Sequence, residues 1–236
     1  MRAVILAGGK GTRLAPYTTV FPKPLMPVGD MPILELLIRQ LRRAGIDRIT
    51  LAVGHLSSLL MAYFQDGSAL DVEIDYSLER EPLGTAGPLK LVSGLDETFL
   101  VMNGDLLTDL DFPSMIAAHA KANALATVGI YERTVRIDLG VVEITPDMHI
   151  TGYVEKPTNR FMVSMGVYVL EPEILAHIPE GVSFDLPDLI GRLLTEGREV
   201  TGYRHEGYWL DIGRPDDYQQ AQDDVEGIRR RLLGPP

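Results

Sequence analysis

Apolar residues fall along this chain in two rhythms. Residues 2–7 (RAVILA), 48–53 (RITLAV) and 98–102 (TFLVM) are short, nearly continuous apolar runs, which predict buried strands; a further strand is read over 72–77. Between them, residues 32–44 open on a proline, repeat Ile33, Leu36, Leu37 and Leu41 at helical spacing, and close at Gly45. Helix is also expected over 56–65, and a short one over 87–94 after a Gly-Thr-Ala-Gly-Pro turn. Strands alternating with helices predict a parallel sheet covered on both faces.

The rhythm changes near residue 125. ATVGIYE, GVVEIT, ITGYVEK and MVSMGVYVL follow one another as strand-like runs with few helices between them, so antiparallel additions and a mixed sheet are expected. Leu106, Leu107 and Leu110 read as a turn, and helical patterns return near 171–177, 185–196 and 215–230. No linker, repeat or low-complexity segment interrupts the chain. One domain over residues 1–236 is expected, with 1–124 built for a nucleotide and 125–236 for a second substrate. Fraying is expected at Gly234, Pro235 and Pro236.

Composition narrows the class of partner. The net charge of −11 argues against nucleic acid, which is bound through clustered Lys and Arg. No apolar run reaches the roughly 18–20 residues of a membrane span, so no membrane partner is expected. The absence of cysteine excludes disulfides and thiolate zinc sites and fits a cytoplasmic location. Yet Lys10, Arg13 and Lys23 stand together near the N-terminus, with no acidic residue between Met1 and Val28. This basic island suits a small anion, or is simply a solvated face.

The candidate chemistry starts inside that island. Leu6-Ala7-Gly8-Gly9-Lys10-Gly11-Thr12-Arg13-Leu14 follows a strand directly. Glycines there let the backbone approach a phosphate and offer it successive N–H groups, and Arg13 can grip phosphate oxygens two at a time. The loop is neither a Walker A loop nor a dinucleotide fingerprint, because Ser/Thr does not follow Gly-Lys in register and Leu14 occupies the third-glycine position. Lys23 lies between two prolines that restrict its backbone. Asp105 ends a buried strand, where open α/β sheets bind ligands, and Mg²⁺ would be a fitting partner for it. Asp109 is a lower-ranked metal ligand. The five histidines, His55, His119, His149, His177 and His205, form no ligand-spaced pair.

Gly-Gly-x-Gly-Thr-Arg-Leu followed by Phe21-Pro22-Lys23-Pro24-Leu25 resembles the signature of sugar-1-phosphate nucleotidylyltransferases. The resemblance recurs in order at Leu83-Gly84-Thr85-Ala86-Gly87, Asn103-Gly104-Asp105, Glu155-Lys156-Pro157 and Trp209-Leu210-Asp211-Ile212-Gly213. It implies a Rossmann-like three-layer α/β/α fold with a mixed, mostly parallel central sheet, of the nucleotide-diphospho-sugar transferase type. It implies transfer of a nucleotidyl group from an NTP to a sugar 1-phosphate with Mg²⁺ as cofactor. The nucleotide is expected on Leu6, Ala7, Gly8, Gly9, Gly11, Thr12, Arg13, Lys23, Gly84, Thr85, Asn103, Gly104 and Asp105. The sugar phosphate is expected on Gly140, Glu155, Lys156, Gly166 and Asp211, and the metal on Asp105 and Asp211. Arg13, Lys23, Asp105 and Asp211 are the expected catalytic residues.

Each motif also has a plainer reading: a structural turn for the Gly-rich loop, a helix cap for Thr85, a solvated pair for Glu155 and Lys156. A silent NDP-sugar sensor and a transferase for a non-sugar phosphate are the competing functions. The base is open; the Leu-Gly-Thr-Ala-Gly turn resembles that of mannose- and heptose-1-phosphate guanylyltransferases, making GTP the first choice over UTP or dTTP. Ser164-Met165-Gly166 replaces the Asn-Ala-Gly of many relatives, which leaves the sugar open too. A chain ending at 236 has no room for the hexapeptide-repeat β-helix that some relatives append, so no acyltransfer is expected, and a monomer or homo-oligomer is equally compatible.

Overall fold

The computed structural model describes residues 1–234. In chain order its strands and α-helices are β1 (Arg2–Ala7), β2 (Pro27–Val28), β3 (Met31–Pro32), α1 (Ile33–Arg43), β4 (Arg48–Val53), α2 (Ser57–Phe64), β5 (Glu73–Leu78), β6 (Phe99–Asn103), β7 (Leu106–Thr108), α3 (Phe112–Ala122), β8 (Ala126–Arg136), β9 (Val141–Ile144), β10 (Ile150–Val154), β11 (Thr158–Leu170), α4 (Leu186–Thr195), β12 (Val200–His205), β13 (Trp209–Asp211) and α5 (Pro215–Leu233). A seven-stranded sheet runs in the order β12-β8-β11-β6-β1-β4-β5. Six of its seven strands point one way and β11 alone runs against them, pairing antiparallel with both β6 and β8.

Alternation along the strands divides the core between the two faces of the sheet. Ala3, Ile5 and Ala7 of β1 join Leu34, Leu37, Ile38 and Leu41 of α1, Leu60 and Phe64 of α2, and Met115 of α3. Val4 joins the opposite cluster with Leu186, Leu189 and Leu193 of α4. Helices on both faces of one sheet give the three-layer α/β/α architecture. A third cluster seats α5, through Ala221, Val225 and Ile228, on Leu14, Ile33, Leu36 and Ile212.

The expected strands over 2–7 and 48–53 are found as read, and α1 ends at Gly45, whose N–H donates to the Arg42 carbonyl. The runs at 87–94 and 171–177 form 3₁₀ turns, Gly87–Leu91 and Pro172–His177, instead of α-helices. Leu106 and Leu107 are not a turn: they belong to β7, which β13 pairs and which is wholly buried. α3 has no counterpart in the sequence reading. Asp111 caps it by accepting the Ser114 N–H at 3.0 Å, and Pro113 occupies its first turn, where a missing N–H costs nothing. Gly234 is bonded to the Arg230 carbonyl at 2.8 Å rather than frayed, while Pro235 and Pro236 lie outside the described residues.

β6 is the hinge of this arrangement, because it joins the parallel set to the reversed β11. Leu100 in its middle is fully buried. Leu100→Ala is expected to cost about 2–5 kcal/mol of unfolding free energy, read by denaturant titration; a loss well below that range would mean that β6 is not the packed centre described here.

Candidate active site

The parallel strands β1, β4, β5 and β6 all release the chain at the same edge of the sheet, where ligands of open α/β folds bind. The segments that follow them, Gly8–Gly11, Gly54–His55, Glu79–Pro82 and Gly104–Asp105, line one cleft of about 850 Å³. Main-chain pairing fixes this edge: β1 and β6 align Leu6 with Asn103, and the Gly104 N–H donates to the Leu6 carbonyl at 3.0 Å. The Gly-rich loop is fastened from behind by the Thr18 hydroxyl and the Leu14 N–H, which both donate to the Gly11 carbonyl, at 2.7 and 2.9 Å.

Lys23 enters the cleft from the 3₁₀ turn Lys23–Leu25, closed by Leu25 N–H to the Pro22 carbonyl. The flanking prolines hold that turn. Lys23 is buried and its ammonium pairs with Asp105 Oδ2. The second oxygen, Asp105 Oδ1, is sealed from solvent and has no hydrogen-bond partner among the described residues. An unpaired buried carboxylate oxygen is costly, so this atom points to a donor or cation that the chain itself does not provide.

β13 brings Asp211 to the same place. It pairs with β7 so that Asp211 stands opposite Leu106, and the Ile212 N–H donates to the Asp105 carbonyl at 3.1 Å. Asp211 opens to solvent on one side while protein encloses it on the others. That enclosure, and then the charge of Asp105, hold its carboxyl above the usual range; Lys23 and Arg13 pull the other way. Arg13 lines the cleft, with its guanidinium against Gly213: a Cβ built there would lie 3.4 Å from it. The four residues expected to be catalytic therefore gather in one neighbourhood from positions almost 200 residues apart in sequence.

The Leu83–Gly87 turn forms the opposite wall. Thr85 does not cap the 3₁₀ turn after it. Its hydroxyl accepts the Leu186 N–H at 2.8 Å and donates to Asp185, so it ties the wall to the start of α4. Gly84 has φ +76, and a Cβ there would meet the Phe184 carbonyl and Asp185 at 2.7 Å, so only glycine suits both the conformation and the space.

Of the other expected nucleotide residues, Leu6, Ala7, Gly8, Gly9, Gly11, Asn103 and Gly104 line the cleft, and Thr12 does not. Gly166, with φ +71, lies in the β11 bulge against the Asn103 amide, where a Cβ would come within 2.5 Å of Nδ2. Gly140, Glu155 and Lys156 form a separate group beside β9 and β10, where the Tyr153 hydroxyl donates to Glu155 Oε2 at 3.2 Å. They are not part of the cleft lining.

Sequence reasoning missed Glu79. It follows β5, accepts the Leu83 N–H at 3.2 Å, and lies so close to Gly8 and Gly54 that neither could carry a side chain without displacing it. Burial pushes its carboxyl up, against the effect of that hydrogen bond. Its position directly after a parallel strand was the available signal.

Comparison with known proteins agrees with this layout. The family model described as nucleotidyl transferase matches residues 2–227. A UTP–glucose-1-phosphate uridylyltransferase of Synechocystis is 37% identical over 99% of this chain and 64% of its own length. A mannose-1-phosphate guanylyltransferase of Mycobacterium tuberculosis is 33% identical over 96% of this chain and 65% of its own. The chain thus spans just under two thirds of the length of these curated relatives. Among solved structures, HddC from Yersinia pseudotuberculosis, complexed with GMP-PN, superimposes with a TM-score of 0.72 and 26% identity over 95% of this chain and 99% of that one. With the family match running from β1 into α5, and the Gly-rich loop, Lys23, Asp105 and Asp211 all inside it, this chain belongs to the nucleotidyl transferase family.

Proposed function

We propose that the chain transfers a nucleotidyl group from an NTP to a sugar 1-phosphate, giving an NDP-sugar and pyrophosphate. The observation that carries this reading is the Lys23–Asp105 pair at the mouth of the Gly-rich loop, with Asp211 and Arg13 beside it. Residues 1–124 take the nucleotide and 125–236 the sugar phosphate, within one domain. The names of the relatives support the reaction class and divide over the base, uridylyl in one and guanylyl in the other. GTP with a mannose-like or heptose 1-phosphate is our first pairing, with UTP and dTTP next. No helix among the described residues is long and apolar enough to cross a membrane, and a cytoplasmic location suits the use of an NTP.

The residues fit Mg²⁺. Asp105 Oδ1 lacks a partner, and Asp211 ionises against burial and against Asp105, so a cation between the two carboxylates would relieve both. Mg²⁺ typically takes one or two carboxylates and fills its shell with water and substrate phosphates; no group of three or more His, Cys, Asp or Glu placed to hold a metal ion occurs among the described residues. When bound it would neutralise phosphate charge.

The remaining chemistry belongs to the chain. A sugar phosphate oxygen forms a bond to the α-phosphorus in line, and the bond to the pyrophosphate oxygen breaks. A phosphate monoester is largely dianionic at pH 7, with a second pKa of about 6, so no general base is required. The obstacle is electrostatic: two like unit charges 4 Å apart repel by about 4 kcal/mol at an effective dielectric of 20. Lys23 and Arg13 offset this on the nucleotide side and Lys156 on the sugar side, so catalysis is positioning plus charge neutralisation.

Three outcomes are expected. Pyrophosphate release with Mg²⁺, measured for four NTPs against a panel of mannose, glucose, N-acetylmuramic acid and heptose 1-phosphates, should require one NTP and one sugar; tight NDP-sugar binding with no release from any pair would favour a sensor. Lys23→Ala and Asp105→Ala should each lower turnover by roughly 10²–10³-fold while unfolding cooperatively, and near-normal turnover would remove that residue from the mechanism. Because burial and the charge of Asp105 make ionised Asp211 costlier in the fold than in the unfolded chain, Asp211→Asn should raise the melting temperature without metal and abolish the stabilisation that Mg²⁺ gives the parent. A lowered metal-free melting temperature would show that Asp211 is compensated by the chain alone.

A further inference from the structure

β13 carries Asp211, yet it is three residues long, lies outside the seven-stranded sheet and pairs only with β7. A two-stranded pair of that size is marginal alone, and a slip of one residue would turn Asp211 to the other side. Its register therefore depends on what pins it. Two pins are neutral: Trp209 Nε1 donates to the Met165 carbonyl at 3.0 Å, and the Ile212 N–H to the Asp105 carbonyl at 3.1 Å.

The charged pin is Asp109, immediately past β7. Its N–H donates to the Tyr208 carbonyl at 3.1 Å, and its Oδ1 accepts the Tyr208 N–H at 2.6 Å. Together these close the β7–β13 ladder at the end away from Asp211. Oδ1 also lies 3.0 Å from His205 Nε2, at the end of β12, and Oδ2 accepts from Arg231 Nε of α5 at 2.7 Å. The carboxylate is 14% exposed. Both of its oxygens are committed to protein donors, so Asp109 is not free to act as the metal ligand considered from sequence.

We propose that Asp109 is a positioning residue for nucleotidyl transfer: it locks β13 onto β7 and thereby sets Asp211 beside Asp105. The inference rests on the reading of that pair as the metal carboxylates. It also makes α5, through Arg231, a support of the active site. Removing an outer support of a metal-binding carboxylate lowers metal affinity or activity without touching substrate.

Trp209 is the only tryptophan and sits in β13, so its fluorescence reports the strand directly. In the full chain, Asp109→Ala should shift Trp209 emission to the red and raise its quenching by acrylamide. The Mg²⁺ concentration for half-maximal pyrophosphate release should rise, or kcat fall, by about 10–100-fold, while KM for the NTP changes little. Asp109→Asn, which keeps an acceptor for the Tyr208 N–H, should restore much of both signals. Arg231→Gln removes the guanidinium that holds Asp109 Oδ2 through Nε and Nη2 and should move them in the same direction by less, which keeps the test decisive if Asp109→Ala fails to fold. Unchanged Trp209 emission and quenching in these variants overturns the lock, and a moved Trp209 with unchanged Mg²⁺ dependence and kcat overturns its role in positioning Asp211. A parent protein that releases no pyrophosphate would sink the transfer reading instead, while Trp209 still decides whether Asp109 holds β13.

Discussion

Negative charge is crowded at the carboxyl-end edge of the central sheet. Asp105 and Asp211 stand together at the edge of the sheet, and the chain answers them with one buried lysine and one guanidinium on the cleft wall. The answer is incomplete: Asp105 Oδ1 has no partner among the described residues, and Asp211 is held above the ordinary carboxylate range by burial and by its neighbour. A carboxylate oxygen sealed without a partner, beside a second carboxylate half enclosed by protein, destabilises a fold unless something completes it. The rest of the structure assembles this deficit, and on the proposed reading leaves it open to polyanionic substrates and a divalent cation.

Assembly depends on topology. Parallel strands β1, β4, β5 and β6 end at one edge, which is why four separate segments of the first half meet in a single cleft. The reversal of β11 brings Gly166 against the Asn103 amide, so the second half of the chain touches the first beside Asp105. β13 then returns to pair with β7, delivering Asp211 from near the end of the chain. The pair is small, and the polar contacts around Asp109, His205 and Arg231 substitute for the packing that a longer strand would supply.

Much of this was legible in the sequence. The apolar runs of β1 and β4 and the periodicity of α1 marked themselves, because continuous burial and a helical stripe each leave a direct pattern. Ordered short motifs named the residues around Asp105. What failed was local and has physical causes. β7 and β13 are three-residue strands, too short to show a period, so the leucines of β7 read as a turn. α3 has a proline in its first turn and buries only Phe112, Met115 and His119, one of them polar, which hides its stripe, although Asp111 was a legible cap. Glu79 offered one signal, its place directly after a strand, but its contacts with Gly8 and Gly54 come from across the sheet and not from its neighbours in sequence. Gly140, Glu155 and Lys156 are named by the motif resemblance, and the structure puts them beside β9 and β10, apart from the cleft lining.

The central claim is that this site works by bringing two phosphates together and neutralising them, with no nucleophile supplied by the protein. Its most direct test is stereochemical. The reaction would be run with a single diastereomer of the NTP bearing sulfur at the α-phosphorus, and the configuration of the NDP-sugar product read by ³¹P NMR. One in-line displacement inverts that centre, and inversion is the expected result. Net retention would require two displacements through a nucleotidyl-enzyme intermediate, and would contradict direct transfer between the two substrates.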